Sequence, residues 1–154
     1  PVVTEETPMN FKPVLAAALV AAFCSSTVMA AEPQEVRQQE MKASGEAFGA
    51  MAAIAKGQKP YDAAVVKASL EKLAEVSKDF HNHFPKGSET GYESEASIKI
   101  WEDSAGFKAA NDKFAADVAS VLAALPADQA GVTAAVGTIG ANCGACHQTY
   151  RVKR

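Results

Sequence analysis

The sequence is short of aromatic residues, of positive charge and of long apolar runs. Aromatic side chains make up 7% of the 154 residues, whereas alanine dominates the 48% that are hydrophobic. Because alanine has the highest intrinsic helix propensity, this composition favours helices over strands. The formal net charge of −3 leaves no basic footprint of the kind that nucleic-acid binding requires, so no nucleic-acid partner is predicted. The length fits a single domain.

The N-terminal segment has the order of a secretory signal peptide. A short positive region, Met9–Lys12, precedes an apolar stretch from Val14 to Phe23, and small residues follow at Ala30 and Ala31. The apolar stretch is too short for a membrane anchor. We therefore predict cleavage near Ala30 or Ala31 and export to the periplasm, with no membrane attachment of the mature chain.

Cleavage at this place separates the three cysteines. Residues 1–30, which comprise upstream residues and the signal peptide, contain Cys24, whereas the mature domain of residues 31–154 keeps Cys143 and Cys146. In an oxidising compartment, two neighbouring thiols form a disulfide, bind a metal or are capped covalently. Cys143 and Cys146 are therefore the first candidates for a functional site.

Four helical segments are indicated by apolar residues at helical spacing and by the residues that begin and end each run. Their bounds, in chain order, are Pro33 to Gly57, Pro60 to Pro85, Ser94 or Ser97 to Pro126, and Ala127 to the C-terminal motif. Residues 86–94 are polar and contain glycine, which predicts a loop. Four amphipathic helices with mostly short connections predict an all-α, antiparallel four-helix bundle.

The segment Cys143-Gly144-Ala145-Cys146-His147 is the attachment signature of c-type haem. On a helix, this spacing places both thiols and the imidazole on one face. The two thiols can add to the two vinyl groups of one porphyrin, which aims His147 at the iron as an axial ligand. We therefore predict one covalently bound haem c on the C-terminal helix, held by Cys143, Cys146 and His147.

Other uses of the cysteine pair are weaker. The motif of a thiol–disulfide oxidoreductase lies at the start of a helix after a strand, whereas this motif closes the last helix. A zinc site needs a fourth ligand, and the other histidines, His81 and His83, adjoin a loop without a second cysteine pair. A structural disulfide would close a very short loop and stabilise little.

The motif lies close to the C-terminus and is followed by Gln148-Thr149-Tyr150-Arg151, an arrangement that resembles the cytochrome c′ family. Three further stretches carry the resemblance: Val36-Arg37-Gln38-Gln39-Glu40-Met41-Lys42, Gly57-Gln58-Lys59-Pro60-Tyr61-Asp62-Ala63 and Ile100-Trp101-Glu102-Asp103. The resemblance spans about residues 32–154. It implies that Arg37 and Gln38 lie beside the haem propionates and that Met41 faces the distal side of the iron.

Met41 leaves two functions open. If its thioether binds the iron as a second axial ligand, the haem is six-coordinate and suits electron transfer with periplasmic redox partner proteins. If Met41 only packs over the iron, the haem is five-coordinate and can bind NO or CO. Electron transfer is the first prediction, and gas binding is the alternative.

Two further expectations concern activity and assembly. No general acid–base pair or nucleophile constellation accompanies the motif, so no enzyme activity is predicted. The resemblance to cytochrome c′ also implies a homodimer formed through the first two helices.

Overall fold

The computed structural model describes residues 31–152. Within them lie five α-helices: α1 (Pro33–Ala55), α2 (Ala63–Asp79), α3 (Lys99–Glu102), α4 (Ser104–Ala123) and α5 (Gln129–Tyr150). The predicted signal peptide, with Cys24, lies outside the described residues, as do residues 153–154. In the part of the chain that is described, no helix is both long and apolar enough to cross a membrane.

The four long helices form a four-helix bundle. Helix α1 packs against α2 and α5, and α4 packs against the same two helices, so each long helix has two neighbours. Short connections of residues 56–62 and 124–128 join α1 to α2 and α4 to α5, as in antiparallel helix pairs. The predicted all-α bundle is therefore confirmed.

Most helix ends lie where the sequence predicts them. Pro33 is the first residue of α1, where its missing N–H leaves no hydrogen bond unmade. The Asp62 carboxylate caps α2 by accepting hydrogen bonds from the next backbone N–H groups, and Asp128 caps α5 in the same way. Gly57 follows α1 with a φ of +70°, a left-handed conformation that glycine adopts without strain.

The third predicted helix is wrong at its N-terminal end. Instead of one helix from Ser94 or Ser97, the structure has the short α3 and then a break at Asp103, with φ −131° and ψ 59°. The Asp103 carboxylate accepts hydrogen bonds from the Gly106 backbone N–H at 3.0 Å and from the Tyr150 hydroxyl at 3.0 Å. Asp103 therefore caps a new helix, α4, and the hydrogen bond from α5 stabilises the break.

The two ends of the bundle differ in how they are packed. One end, here called the filled end, holds a continuous apolar core of nine buried residues: Met51, Ile54, Val66, Leu70, Leu73, Val118, Val132, Ala135 and Ile139. At the other, hollow end, the same four helices surround a cavity of about 580 Å³. The C-terminal motif lies at this hollow end.

Candidate haem site

The cavity is lined by all four long helices and by residues 93–96. Its wall contains many apolar side chains, among them Phe48, Leu73, Val76, Phe80, Phe107 and Phe114. Apolar walls, a few polar groups and a volume in this range are typical of cofactor sites. The cavity can therefore hold a large apolar group next to the C-terminal motif.

Cys143, Cys146 and His147 all line this cavity from the last turns of α5. Both thiols are free and partly buried. Burial raises the pKa of each thiol, and for Cys146 the neighbouring Cys143 raises the pKa further. Thiol–disulfide oxidoreductases instead depend on a lowered cysteine pKa, so the local environment does not favour that alternative.

The surroundings of His147 favour its neutral form. Burial lowers the pKa of this imidazole, and the positive charge of Arg151 lowers it further. A neutral imidazole has the free lone pair that a metal ligand needs. The structure thus brings two thiols and an imidazole whose surroundings lower its pKa to one cavity, an arrangement that fits a covalently held haem.

Met41 lines the same cavity from α1. Gly45 and Phe48 follow it along the helix on the cavity side, one and two turns later. A thioether from α1 and an imidazole from α5 therefore line the same cavity. Imidazole and thioether are the pair of ligands that holds the haem iron in cytochromes c.

Arg37 also lines the cavity, but its N–H groups are directed to a loop. It is 4% exposed. One terminal nitrogen donates to the His83 carbonyl at 3.0 Å and to the Ser88 hydroxyl at 2.9 Å. The other donates to the Ser88 carbonyl at 2.8 Å and to the Ser94 hydroxyl at 3.3 Å. These four bonds use all four terminal N–H hydrogens.

The guanidinium of Arg37 also lies over two aromatic rings. Its central carbon is 4.6 Å from the centroid of Phe84 and 5.7 Å from that of Trp101, distances at which a cation is attracted to a ring face. Burial lowers the pKa of Arg37, and the charge of Glu89 raises it. Since all four hydrogen-bond acceptors are neutral, Arg37 is a buried cation held mainly by uncharged groups.

Gln34 and Gln38 bind the same loop, which we call the cavity loop and define as residues 87–97. The Gln34 amide donates to the Thr90 carbonyl at 2.8 Å, and the Gln38 amide donates to the Tyr92 carbonyl. Together with the bond from Arg37 to Ser88, side chains of α1 thus hold every second carbonyl along residues 88–92. Arg37 and Gln38 line the cavity, with these donors directed to the loop, and their position beside the haem propionates stays a prediction.

The other end of the cavity loop is joined to the end of α5. The Ser97 N–H donates to the Tyr150 carbonyl at 2.9 Å, and the Val152 N–H donates to the Glu95 carbonyl at 2.8 Å. The Arg151 side chain donates to the Glu95 carboxylate at 2.6 Å. The loop therefore connects the helix that carries Met41 to the helix that carries His147.

Ser88 and Ser94 are residues that sequence reasoning missed. The prediction of a polar loop over residues 86–94 describes the backbone well, yet Ser88 is 4% exposed and holds Arg37. Nothing in the local sequence marks Ser88 as buried. The usable signal is indirect, because a buried arginine needs acceptors and polar loop residues can supply them.

The histidines outside the motif do not form a metal site. His83 lies 3.4 Å from the Glu40 carboxylate and 3.4 Å from that of Asp79. Between residues 31 and 152, no group of three or more His, Cys, Asp or Glu side chains is placed to hold a metal ion by itself. This weighs against the zinc alternative.

Comparisons with known proteins identify the family of the chain. The family model described as Cytochrome C′ matches residues 32–151. Cytochrome c-556 of Agrobacterium fabrum is 49% identical over 146 residues, which are 95% of this chain and 99% of that protein. The structure of cytochrome c′ from Rhodopseudomonas palustris is 35% identical, with a TM-score of 0.77 over 81% of this chain and 99% of that one. The protein in a structure described as a nitric oxide complex of a mutant cytochrome c′ from Alcaligenes xylosoxidans is 38% identical. Its TM-score is 0.69, over 80% of this chain and 98% of that one.

The chain belongs to the cytochrome c′ family, as its sequence resemblance predicts. Proteins of this family carry a covalently bound c-type haem with iron, so haem c is the cofactor of this chain. The residues at the hollow end fit that cofactor, because thiols, imidazole and an apolar cavity occur together there.

Proposed function

We propose that this member of the cytochrome c′ family is a single-haem electron carrier whose cofactor is attached through Cys143 and Cys146. His147 would hold the iron through an imidazole nitrogen, and Met41 would hold it through its thioether. When bound, the haem would supply a one-electron iron couple. The observation that carries the proposal is that Met41, on α1, and the motif, on α5, line one cavity.

The side chains of the site have distinct tasks. Cys143 and Cys146 fix the position of the cofactor against α5, so its orientation does not depend on the axial bonds alone. Met41 offers a polarisable thioether, a ligand that raises the reduction potential of a haem iron. The apolar wall, including Phe48 and Phe107, would shield a bound haem from water on these sides, which suits electron transfer without substrate turnover.

Gas binding is the second candidate function. It is favoured by the nitric oxide complex of the Alcaligenes xylosoxidans relative. In this version Met41 would line the cavity without binding the iron, and the haem would bind a diatomic gas such as NO or CO. The two functions differ in one bond, that between Met41 and the iron.

An optical spectrum of the exported, purified protein with and without CO separates the two. A c-type pyridine haemochrome that is lost in Cys143→Ser/Cys146→Ser supports the attachment, and a spectrum without c-type bands contradicts it. For Met41→Ala we expect loss of the low-spin bands and faster CO binding. Met51→Leu, a change at a methionine in the filled end that is 0% exposed, is the matched control and should keep the low-spin spectrum. A low-spin spectrum that survives Met41→Ala removes Met41 from the ligand set.

We also propose export to the periplasm after cleavage near Ala30 or Ala31, with redox proteins of that compartment as electron partners. N-terminal sequencing of the protein from the periplasmic fraction tests this, and a mature chain that keeps Cys24 contradicts it.

We also propose a homodimer formed through α1 and α2. Analytical sedimentation tests it, and a monomer mass at high protein concentration contradicts it.

A further inference from the structure

Tyr150 is the last residue of α5 and lies about one helical turn after His147. We infer that Tyr150 is a positioning residue of the haem site. Its hydrogen bond to Asp103 holds the last turn of α5 in place, and this fixes the direction in which His147 presents its imidazole to the iron. The inference rests on the proposed function only in taking His147 as an iron ligand.

Three parts of Tyr150 are held by three different segments of the chain. The hydroxyl donates to the Asp103 carboxylate at 3.0 Å. The ring packs edge-on against Phe107, with centroids 5.2 Å apart and an angle of 71° between the ring planes. The backbone carbonyl accepts a hydrogen bond from the Ser97 N–H at 2.9 Å. Since Tyr150 is only 9% exposed, its side chain and its backbone are fixed together.

The carboxylate that accepts the Tyr150 hydroxyl is itself fixed. One Asp103 oxygen accepts from this hydroxyl, and the other accepts from the Gly106 N–H at 3.0 Å as the cap of α4. A hydrogen bond to an ionised group is roughly twice as strong as one between neutral groups. The bond to Asp103 leads to the start of a helix of 20 residues, whereas the bond to Ser97 leads to the cavity loop. A helix gives a functional side chain a more precise reference position than a loop does.

The space beside this hydrogen bond is kept free of a side chain. A Cβ at Gly106 would lie 2.2 Å from the Asp103 carboxylate and 2.7 Å from the Tyr150 hydroxyl. Gly106 lies in the first turn of α4, where glycine weakens the helix relative to alanine. The room that the hydrogen bond needs explains why a glycine occupies a position that otherwise favours alanine.

His147 needs such support because it lies near the end of its helix. The last carbonyls of a helix have no partner within the helix, and helix ends open most easily. Metal ligands are oriented by the groups that hold them from behind, and loss of these groups weakens the bond to the metal. His147 and Tyr150 are three residues apart and therefore lie on the same side of α5. A displacement of Tyr150 then carries the His147 side chain with it.

The surroundings of Tyr150 keep its phenol protonated. Burial raises the pKa of Tyr150 above its ordinary value of 10, and the hydrogen bond and the negative charge of Asp103 raise it further. The hydroxyl therefore remains a hydrogen-bond donor at neutral pH. This is the state in which it can hold the end of α5.

The test is resonance Raman spectroscopy of the ferrous, haem-loaded protein in a Met41→Ala background, in which position 41 offers no thioether to the iron. The band that is measured is the iron–imidazole stretch. Tyr150→Phe keeps the ring and removes the hydroxyl, and we expect this band to shift to lower wavenumber, because a misdirected imidazole binds the iron more weakly.

Tyr61→Phe is the matched control. The Tyr61 hydroxyl donates to the Pro126 carbonyl at 2.8 Å, and its ring packs against the core of the filled end. This variant also loses one tyrosine hydrogen bond, so its urea midpoint should fall about as far as that of Tyr150→Phe. Its iron–imidazole band should not move.

Asp103→Ser separates the two hydrogen bonds of the carboxylate. Serine has one side-chain oxygen and is a favourable N-cap residue, so α4 stays capped while the Tyr150 hydroxyl loses its partner. We expect the same band shift as in Tyr150→Phe. The double variant should show no additional shift, because both changes break the same bond. Asp103→Ser also tests the inference if Tyr150→Phe does not take up haem.

Two results would overturn the inference. One is an unmoved band in Tyr150→Phe or in Asp103→Ser with the haem attached. The other is an equal band shift in Tyr150→Phe and Tyr61→Phe, because this assigns the effect to a general loss of stability. The background protein is measured first. Absence of its c-type haemochrome or of its iron–imidazole band contradicts the proposed function, whereas a band that is present and unmoved contradicts only the role of Tyr150.

Discussion

The filled and hollow ends of the bundle are built from the same four helices but differ in how completely side chains fill the space between them. At the filled end, side chains such as Leu70, Val118 and Ile139 are 0% exposed and pack against one another. At the hollow end, the helices leave a cavity of about 580 Å³ and a loop covers part of its wall. The comparison shows that one end can stabilise the fold while the other keeps space for a cofactor.

Most of the buried polar side chains lie around the hollow end. Buried polar side chains such as Arg37, Ser88, Asn111 and Asn142 occur around the hollow end, and each needs a partner there. The apolar residues of the filled end need no hydrogen-bond partner. A change at the filled end should therefore alter stability alone, whereas a change at the hollow end should alter stability and the haem spectrum together.

The largest expected effects come from one truncation at each end. Phe107→Ala at the hollow end should lower the free energy of unfolding by about 3–5 kcal/mol, and Leu70→Ala at the filled end by about 2–5 kcal/mol. Only Phe107→Ala should shift the haem absorption bands, because Phe107 lines the cavity and packs against Tyr150 with ring centroids 5.2 Å apart. Denaturant unfolding and visible spectra check both variants. Equal spectral shifts in the two would mean that the ends are not independent.

A glycine at the hollow end should resist substitution. A Cβ at position 106 would lie 2.2 Å from the Asp103 carboxylate and 2.7 Å from the Tyr150 hydroxyl. Gly106→Ala should therefore disturb a helix cap and a hydrogen bond, with a net loss of about 1–2 kcal/mol. Gly137→Ala is the control, because nothing lies within 4 Å of its Cβ, and it should stabilise α5 by about 0.5–1 kcal/mol. The two melting temperatures should move in opposite directions, and a parallel change refutes the steric argument.

A smaller effect is expected at the N-cap of α2. The Asp62 carboxylate accepts hydrogen bonds from Ala64 N–H at 2.8 Å and Val65 N–H at 3.2 Å. Asp62→Ala should lower the free energy of unfolding by about 1 kcal/mol, and Asp62→Asn should recover most of it. The haem spectrum should be the same in both, since the cap lies at the filled end. A loss as large in the Asn variant would rule out the cap as the cause.

The smallest expected effect depends on pH. Hydrogen bonds from Lys113 and Asn142 lower the pKa of Asp117 below its ordinary value of 3.8. A carboxylate with a lowered pKa in the folded state stabilises the protein at pH values above its unfolded pKa, and this contribution is lost as the pH falls through the folded pKa. Asp117→Asn should therefore be slightly less stable than the parent at pH 7, and the difference should shrink below about pH 4. Urea unfolding across this range tests it, and a difference that grows in acid has the wrong sign.

The features of the fold that could be predicted are those carried by local sequence. Pro33, Gly57 and Asp128 define helix ends through backbone geometry and capping, which depend on a few neighbouring residues. The Cys143–His147 motif is equally local, and so its placement on the last helix followed from spacing alone.

The features that escaped prediction depend on contacts between distant parts of the chain. The break at Asp103 is stabilised by the Tyr150 hydroxyl, 47 residues away. The partners of Arg37 lie about 50 residues away in the cavity loop, where local sequence indicates only a polar loop. Periodicity identifies which residues of α1 face the cavity, but it does not identify what their polar ends will bind.

The cavity loop sets a mechanical limit on the hollow end. At one point of the loop, the Gln38 amide donates a hydrogen bond to the Tyr92 carbonyl. At a second point, the Val152 N–H and the Arg151 side chain donate hydrogen bonds to Glu95. Three peptide units between these points can span at most about 11 Å even when fully extended. As long as both attachments last, the polypeptide works as a tether between α1 and the end of α5. The widest opening on this side is then determined by the contour length of a short piece of chain, whatever group the cavity contains.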